Sequence, residues 1–171
     1  LAGQPDGERG ISEIRATYGT ALNWPMTNVE AFDRAQAGGG ALLDVGVHAL
    51  DAVRWILGTQ RVTVEEYADD GDSGMEAEAS ARLSLTLQQE QGPIPGSLVV
   101  SRLRQLDHAL EVHGERAVLV IPFSPSKAPY LRQGGRDTPA LSEAPQARSV
   151  VRCFAQQLTE FARLVRGESA S

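Results

Sequence analysis

The sequence predicts an α+β fold, an open and mostly antiparallel sheet with helices packed on one face. Residues 77–88 alternate apolar and polar side chains, which is the pattern of an antiparallel strand with one buried and one wet face. Two segments, 41–57 and 147–165, instead place apolar residues three and four positions apart, as amphipathic helices do. With 171 residues, 42% of them hydrophobic, the chain is long enough for one domain with its own core.

The first part of the chain is predicted to hold one strand after a polar lead-in. Residues 1–10 are polar and rich in turn-forming residues, as a linker is. The partial alternation of residues 11–18 indicates the strand. Residues 21–37 are irregular, and a short helix is predicted within them over 29–36.

A long helix follows, and the period of the apolar pattern then changes from 3.6 to 2. The helix is predicted from Ala41 to Leu57 and ends at Gly58, since glycine readily takes the left-handed conformation that follows a helix. Residues 62–64 indicate a short strand before the long alternating strand over 77–88.

The rest of the sheet is predicted from turn signals and short apolar runs. The Pro- and Gly-rich run 91–96 is interpreted as a turn into a strand over 97–103, and 108–121 as a hairpin. Residues 124–145 are rich in Pro, Gly and Ser, so we expect loops with at most one short edge strand. The last helix is expected to end at Gly167.

Composition excludes several classes of protein. A formal net charge of −6 argues against nucleic acid or an anionic membrane as a partner. The single cysteine, Cys153, rules out an internal disulfide framework and a cysteine-based zinc site, and it fits a reducing compartment such as the cytoplasm. No apolar run is long enough to span a membrane. No G-x-G-x-x-G follows a strand and no phosphate loop occurs, so the chain alone lacks the usual means of binding a dinucleotide.

Four polar or aromatic residues share one stripe of the long helix. At 100° per residue, Asp44, His48, Asp51 and Trp55 fall together, and most other positions are Leu, Val, Ile or Ala. We expect such a helix to be buried almost all round, so that its aligned ionisable groups must be paired or face a cavity. Imidazole titrates near neutrality, so His48 suits proton transfer, and Asp44 one turn away suits orienting the imidazole or binding a hydroxyl. The alternative is a structural Asp44–His48 pair.

Weaker candidates surround this stripe. Asp51 is expected to be structural, accepting backbone N–H groups or pairing with Arg54 or Arg15, and Trp55 is expected in the core. A metal site built from the stripe is not expected, because adjacent helix turns seldom complete a ligand set. Trp24 precedes the helix and is a candidate for a pocket wall.

Three glycines, Gly38, Gly39 and Gly40, stand directly before the helix. They suit either a phosphate-binding loop at a helix N-terminus or, as we favour, tight turning and the close approach of a cofactor or another domain. Gly46 lies within the helix, where glycine costs about 1 kcal/mol relative to alanine, so a neighbour is expected to pack closely against it.

The run from Gly38 to Gly58, written G-G-G-x-L-x-D-x-G-x-H-x-x-D-x-x-x-W-x-x-G, resembles the signature of the glucose–fructose oxidoreductase/inositol dehydrogenase (Gfo/Idh/MocA) family. Residues 11–14, 109–120 and 154–167 are more weakly similar to later parts of the family's C-terminal domain. The family joins an N-terminal Rossmann domain, which binds NAD or NADP, to an α+β domain that supplies most of the substrate pocket.

The resemblance implies that residues 11–171 form the substrate-binding and oligomerisation domain, and that 1–10 link it to a Rossmann domain absent from this fragment of a longer protein. It implies that His48 is the acid/base and Asp44 the substrate-orienting residue, with the glycine run and Trp24 near substrate and cofactor. NAD or NADP would bind mainly to the absent domain, and the substrate would be a sugar, polyol or related hydroxy compound.

Two further expectations concern the assembly. The resemblance implies a homodimer or tetramer formed through the sheet, and a fragment that is inactive by itself. The alternative function is a non-catalytic binding or scaffold domain that dimerises through its sheet.

Overall fold

The fold is an open sheet of eight strands with a long helix packed on one face. The computed structural model describes residues 10–21, 33, 35, 38–59, 61–71, 77–124, 127–141 and 150–167. Three sequence predictions fall outside the described residues. They concern residues 1–9 of the linker, Trp24, and the short helix over 29–36, of which only residues 33 and 35 are described.

The sheet order is β2-β3-β4-β1-β5-β6-β7-β8, in which β1 and β4 are parallel and the other neighbours antiparallel. The predicted α+β class with a mostly antiparallel sheet is therefore confirmed. A π-helical turn, Leu42–Gly46, leads into α1, Val47–Leu57, and the second helix is α2, Val150–Val165. The strands are β1 (Glu13–Gly19), β2 (Arg61–Asp69), β3 (Ser80–Gln89), β4 (Gly92–Ser101), β5 (Ala109–His113), β6 (Val118–Pro122), β7 (Tyr130–Gln133) and β8 (Arg136–Pro139).

The core lies between the central strands and α1. In β3 the alternation predicted from sequence holds, with the leucines buried and the residues between them more exposed. The helix contributes Ala49 and Val53, each 1% exposed. The sheet contributes Ile14, Ala16, Leu83, Leu85, Leu87, Leu98, Val100 and Leu110.

The run 91–96 is not a turn, and that prediction is wrong. The chain reverses at 90–91, and Pro93 and Pro95 lie inside β4, paired with β3. They are tolerated because β1 begins its pairing only at Gly96, so the start of β4 has an open edge on its other side. There the missing N–H of proline removes no ladder hydrogen bond.

Residues 124–145 hold a hairpin rather than loops with at most one strand. Gly134 and Gly135 have φ of 56° and 77° and join β7 directly to β8. Two consecutive residues at positive φ are what a type I′ hairpin turn requires, so the Gly-Gly pair was the signal for this hairpin.

The long helix has the predicted extent, and Gly58 ends it with φ of 63°. The expectation that it is buried almost all round is wrong, because the sheet covers one face only. Trp55, expected in the core, is 84% exposed, and Val47 is 42% exposed.

The second helix also carries a row of exposed apolar side chains. They are Val151, Phe154, Leu158, Phe161 and Val165, each 60% to 76% exposed. Gly167 follows the helix with φ of 76°, as predicted. In the described part of the chain, no helix has both the length and the apolarity needed to cross a bilayer.

Candidate functional site

The start of the site helix is fixed by Glu78, from the segment that enters β3. The backbone N–H of Ala41 donates to the Glu78 carbonyl oxygen at 2.8 Å, and that of Leu42 donates to Glu78 Oε1 at 3.2 Å. Glu78 is 8% exposed, whereas the sequence pattern had assigned it to the wet face of a strand. That assignment is wrong because β3 begins only at Ser80.

The glycine run makes this contact sterically possible. A Cβ on Gly40 would lie 2.0 Å from the Glu78 carbonyl oxygen, and Gly38 turns the chain with φ of 73°. The close neighbour of Gly40 is therefore Glu78 of the same chain, and the expected approach of a cofactor or another domain stays a prediction. An acidic side chain on the helix N-terminus also opposes phosphate binding there, since both groups are anions.

A π-helical turn then carries the first predicted catalytic residue, Asp44. The backbone N–H of Val47 bonds to the Leu42 carbonyl, five residues earlier. Gly46 is buried in this turn, and a Cβ there would lie 2.6 Å from Leu42 Cδ1 and 3.5 Å from Val100 Cγ1. The close neighbour predicted for Gly46 is thus confirmed. Single π-helical turns within helices occur often at functional sites.

Asp44 forms an ion pair with Arg102, whose Nη2 contacts Asp44 Oδ2. The Asp44 side chain is 50% exposed and that of Arg102 is 26% exposed. Among the described residues no hydrogen bond joins Asp44 to the His48 ring, so the structural Asp44–His48 pair considered from sequence is not present. Burial lowers the pKa of the Arg102 guanidinium from its usual value.

His48 is exposed on α1 and lines an open cavity of about 520 Å³ between the helix and β2. Asp51, which belongs to the predicted stripe, and Arg54, which does not, line the same cavity as the imidazole. The other lining residues are apolar: Val47, Leu50, Val62 and Val64.

Arg15 is not the partner of Asp51. Its guanidinium donates two hydrogen bonds to Glu13, at 2.9 and 2.8 Å, on the opposite face of the sheet from the helix. Among the described residues no cluster of three or more His, Cys, Asp or Glu side chains is arranged to hold a metal ion.

The structure thus brings the predicted residues together only in part. His48 and Asp51 share the cavity, Asp44 lies one turn earlier beside Arg102, and the glycine run lies at the helix start. Sequence reasoning missed Arg102 and Glu78. Both reach the helix from segments more than thirty positions later in the chain, and no local pattern indicates such a contact.

Comparison with known proteins agrees with this architecture. The model of the GFO/IDH/MocA C-terminal domain family matches residues 9–120, and the chain belongs to that family. An uncharacterized oxidoreductase of Rhizobium meliloti is 30% identical over 125 residues, which are 71% of this chain and 36% of that protein.

Solved structures show the same fold at low sequence identity. A levoglucosan dehydrogenase in complex with NADH and levoglucosan superposes with a TM-score of 0.67 at 16% identity, over 94% of this chain and 51% of that one. Biliverdin reductase from Synechocystis, in complex with biliverdin and NADP+, gives 0.57 at 15% identity, over 94% and 48%. The chain therefore spans about half the length of these structures and 36% of the curated relative.

Proposed function

We propose that this domain supplies the substrate side of an NAD(P)-dependent oxidoreductase that acts on a sugar, polyol or related hydroxy compound. His48 is the acid/base and Asp44 binds and orients the reacting hydroxyl. The nucleotide-binding half of the site belongs to a Rossmann domain outside residues 11–171. The observation that carries the proposal is the exposed His48 ring at the wall of an open cavity, one helical turn from a carboxylate.

The relatives support the class of reaction. The Rhizobium meliloti relative is named an oxidoreductase, and the levoglucosan dehydrogenase that shares the fold is in complex with NADH and levoglucosan. The run that resembles the family signature, residues 38–58, includes both Asp44 and His48.

The described residues at the start of the site helix do not fit the phosphates of a dinucleotide. Glu78 occupies the donors at the start of the site helix, where the phosphates would otherwise find backbone N–H groups. NAD or NADP therefore binds mainly to the other domain in this proposal. When bound there, the nicotinamide is the group that exchanges hydride with substrate carbon.

In this proposal, the residues of this chain transfer the proton of the substrate hydroxyl. Oxidation of a secondary alcohol to a ketone releases the hydroxyl proton and the hydrogen on carbon. His48 takes the hydroxyl proton, and in the reverse direction it returns that proton to the carbonyl oxygen. Asp44, as an acceptor of hydrogen bonds, holds a substrate hydroxyl near the imidazole.

The exposed apolar residues on the helix are consistent with a second domain in this position. Leu43, Val47 and Trp55 are 55%, 42% and 84% exposed, and they lie on the same helix as the site. A second domain that covers this helix would remove these apolar side chains from water, which is favourable.

Kinetics of the polypeptide that joins this domain to its nucleotide-binding domain test the proposal. His48→Gln should lower kcat on a responsive polyol by about a hundredfold or more, with NADH affinity unchanged, because only the proton transfer is lost. His113→Gln is the matched control, since His113 lies on β5 and bonds Glu111 at 3.1 Å, away from the cavity. Equal turnover in His48→Gln and wild type would exclude the acid/base role.

A second role for the domain is self-association through the open sheet face, to a dimer or tetramer. That face of β3 carries the uncharged Ser84 and Thr86, both partly buried in the single chain. Such side chains meet a second sheet with little desolvation cost compared with charged groups. Sedimentation velocity on Thr86→Arg tests this: the oligomer should dissociate, and an unchanged sedimentation coefficient would exclude this face.

A further inference from the structure

The Asp44–Arg102 ion pair joins the π-helical turn to the end of β4, and Arg102 has no part in the function proposed above. We infer that Arg102 is a positioning residue, which holds Asp44 as an oriented carboxylate for a neutral, hydroxylated substrate. The inference rests on the proposed function, because it assigns the residue that holds Asp44 in the orientation and charge state needed to bind a substrate hydroxyl.

The base of the Arg102 side chain is held on both sides by hydrogen bonds. Its backbone N–H donates to the Ala79 carbonyl at 2.8 Å. The preceding residue, Ser101, is fully buried, and its Oγ accepts from the N–H groups of Leu103 and Arg104, each at 3.1 Å. A 2.7 Å hydrogen bond to the Ser80 hydroxyl fixes Ser101 in turn. The direction in which Arg102 leaves the sheet is therefore set by buried structure.

The two ends of the ion pair differ in accessibility. Arg102 Nε is buried and, among the described residues, has no hydrogen-bond partner. The Asp44 side chain is 50% exposed. A buried guanidinium nitrogen that lacks a hydrogen-bond partner costs stability, so a contribution to folding does not by itself explain why Arg102 is placed there. The exposed member of the pair is the one that a substrate can reach.

The exposure of the Asp44 carboxylate and its contact with Arg102 together indicate which substrate groups Asp44 can bind. Arg102 Nη2 contacts the Asp44 carboxylate at Oδ2, and half of the Asp44 side chain remains exposed. An adjacent guanidinium favours the ionised carboxyl, which only accepts hydrogen bonds, so the exposed part of the Asp44 carboxylate suits a hydroxyl donor. Because the two charges cancel, the pair gives no net attraction for a carboxylate or phosphate. A neutral polyhydroxy compound is the substrate class that this arrangement fits.

The first test measures the ionisation of Asp44 directly in this chain. Carboxyl 13C NMR follows its titration, with Asp44→Asn to assign the signal. In Arg102→Gln the pKa of Asp44 should rise, and in Arg102→Lys it should stay nearer to wild type, since a cation is retained. Arg104→Gln is the matched control, an exposed arginine two positions further along.

Thermal unfolding of the same variants separates positioning from a structural role. Arg102→Met should unfold at the wild-type temperature or above, because it removes a poorly solvated charge and leaves a half-exposed carboxylate. A large fall in unfolding temperature, with no change in the Asp44 titration of Arg102→Gln, would overturn the inference.

The second test uses the enzyme that joins both domains. Arg102→Gln should lower kcat/KM for a neutral polyol roughly tenfold to a hundredfold, and shift the acid limb of the pH profile upward. The titratable and charged groups on the elements around Asp44 are His48, Asp51 and Arg54 on the same helix, Glu78 beside its first turn, and Arg102 and Arg104 after β4. Profiles of His48→Gln and Glu78→Gln therefore accompany the measurement.

An unchanged turnover in Asp44→Asn would overturn the proposed function, whereas an unshifted Asp44 titration in Arg102→Gln would overturn only the present inference.

Discussion

The carboxylate of Glu78 accepts a hydrogen bond from the backbone N–H of Leu42, a residue 36 positions earlier in the chain. The Glu78 carbonyl accepts a second from Ala41. The first N–H groups of a helix have no partner within the helix, and a negative group near them is also favoured by the helix dipole. The start of the site helix is thus held by a tertiary contact, and within the described residues no side chain of the helix itself caps it.

Gly40→Ala should destabilise the domain by about 2 kcal/mol, because the new Cβ would overlap a backbone oxygen that has no flexible end to move aside. The clash distance is 2.0 Å, to the Glu78 carbonyl. Urea unfolding followed by circular dichroism measures the effect. Gly10→Ala is the control, since a Cβ there meets nothing within 4 Å. If both variants unfold at the same urea concentration, the close approach at Gly40 is not a constraint on the fold.

Glu78→Ala should cost about 1 to 2 kcal/mol of unfolding free energy, as the loss of a helix cap does, and Glu78→Gln less, because the amide oxygen still accepts from Leu42. Glu90→Ala, at the exposed turn between β3 and β4, is the matched control and should be near neutral. Equal stability of Glu78→Ala and Glu90→Ala would show that the capping contact contributes nothing measurable.

The extent of the site helix could be read from sequence because its signals are local. The apolar spacing from Ala41 to Leu57 and the glycine at position 58 each follow from helix geometry. The β7–β8 hairpin was equally local, since Gly134 and Gly135 are a turn signal, but the surrounding Pro-rich composition outweighed it in the prediction. The prolines of β4 likewise led to the wrong prediction of a turn over 91–96. They are tolerated in the strand because that part of β4 has an open edge.

The partners of the site residues could not be read from sequence, for a physical reason. Which surface covers a helix face depends on distant segments, and Arg102 and Glu78 reach Asp44 and Leu42 only after the sheet has formed. The expected burial of Trp55 failed similarly, because apolar composition states what a helix can bury and not how much of it this chain covers.

The chain alone should show no saturable binding of NADH. Its helix N-terminus is occupied by a carboxylate, and the sequence holds no dinucleotide-binding fingerprint. NADH fluorescence titration measures this, and the polypeptide that carries both domains is the positive control, expected to bind in the micromolar range typical of enzyme ligands. Saturable micromolar binding by the chain alone would contradict the proposal that the nucleotide binds mainly to the other domain.

Phe161→Ser in the second helix should change stability by less than about 0.5 kcal/mol, because this side chain is 65% exposed. It should also reduce any concentration-dependent association of the chain, since exposed apolar rows favour aggregation. Light scattering over a concentration series and urea unfolding measure the two effects. Leu98→Ala, at a fully buried position, is the contrasting variant and should cost about 2 to 5 kcal/mol. A comparable loss in Phe161→Ser would mean that α2 buries this face in solution.

The Glu13–Arg15 pair should make a small contribution to stability that disappears in acid. The hydrogen bond from Arg15 lowers the pKa of Glu13 below its ordinary value of 4.5. The stabilisation is therefore present in full above that ordinary value and is lost as pH falls through the lowered pKa. Because these side chains are 34% and 52% exposed, water and salt screen the pair, and the contribution is at most about 0.5 kcal/mol.

Urea unfolding of wild type and Glu13→Gln, at neutral pH and at about pH 2.5, tests this dependence. Wild type should be the more stable at neutral pH. The difference should vanish at the acid pH, where residue 13 is uncharged in both proteins, as a protonated glutamic acid in wild type and as glutamine in the variant. Raising the salt concentration at neutral pH should shrink the difference in the same direction, because exposed ion pairs are screened. A difference that grows as pH falls would have the wrong sign for a carboxyl whose pKa is lowered by folding, and would exclude the Arg15 contact as its cause.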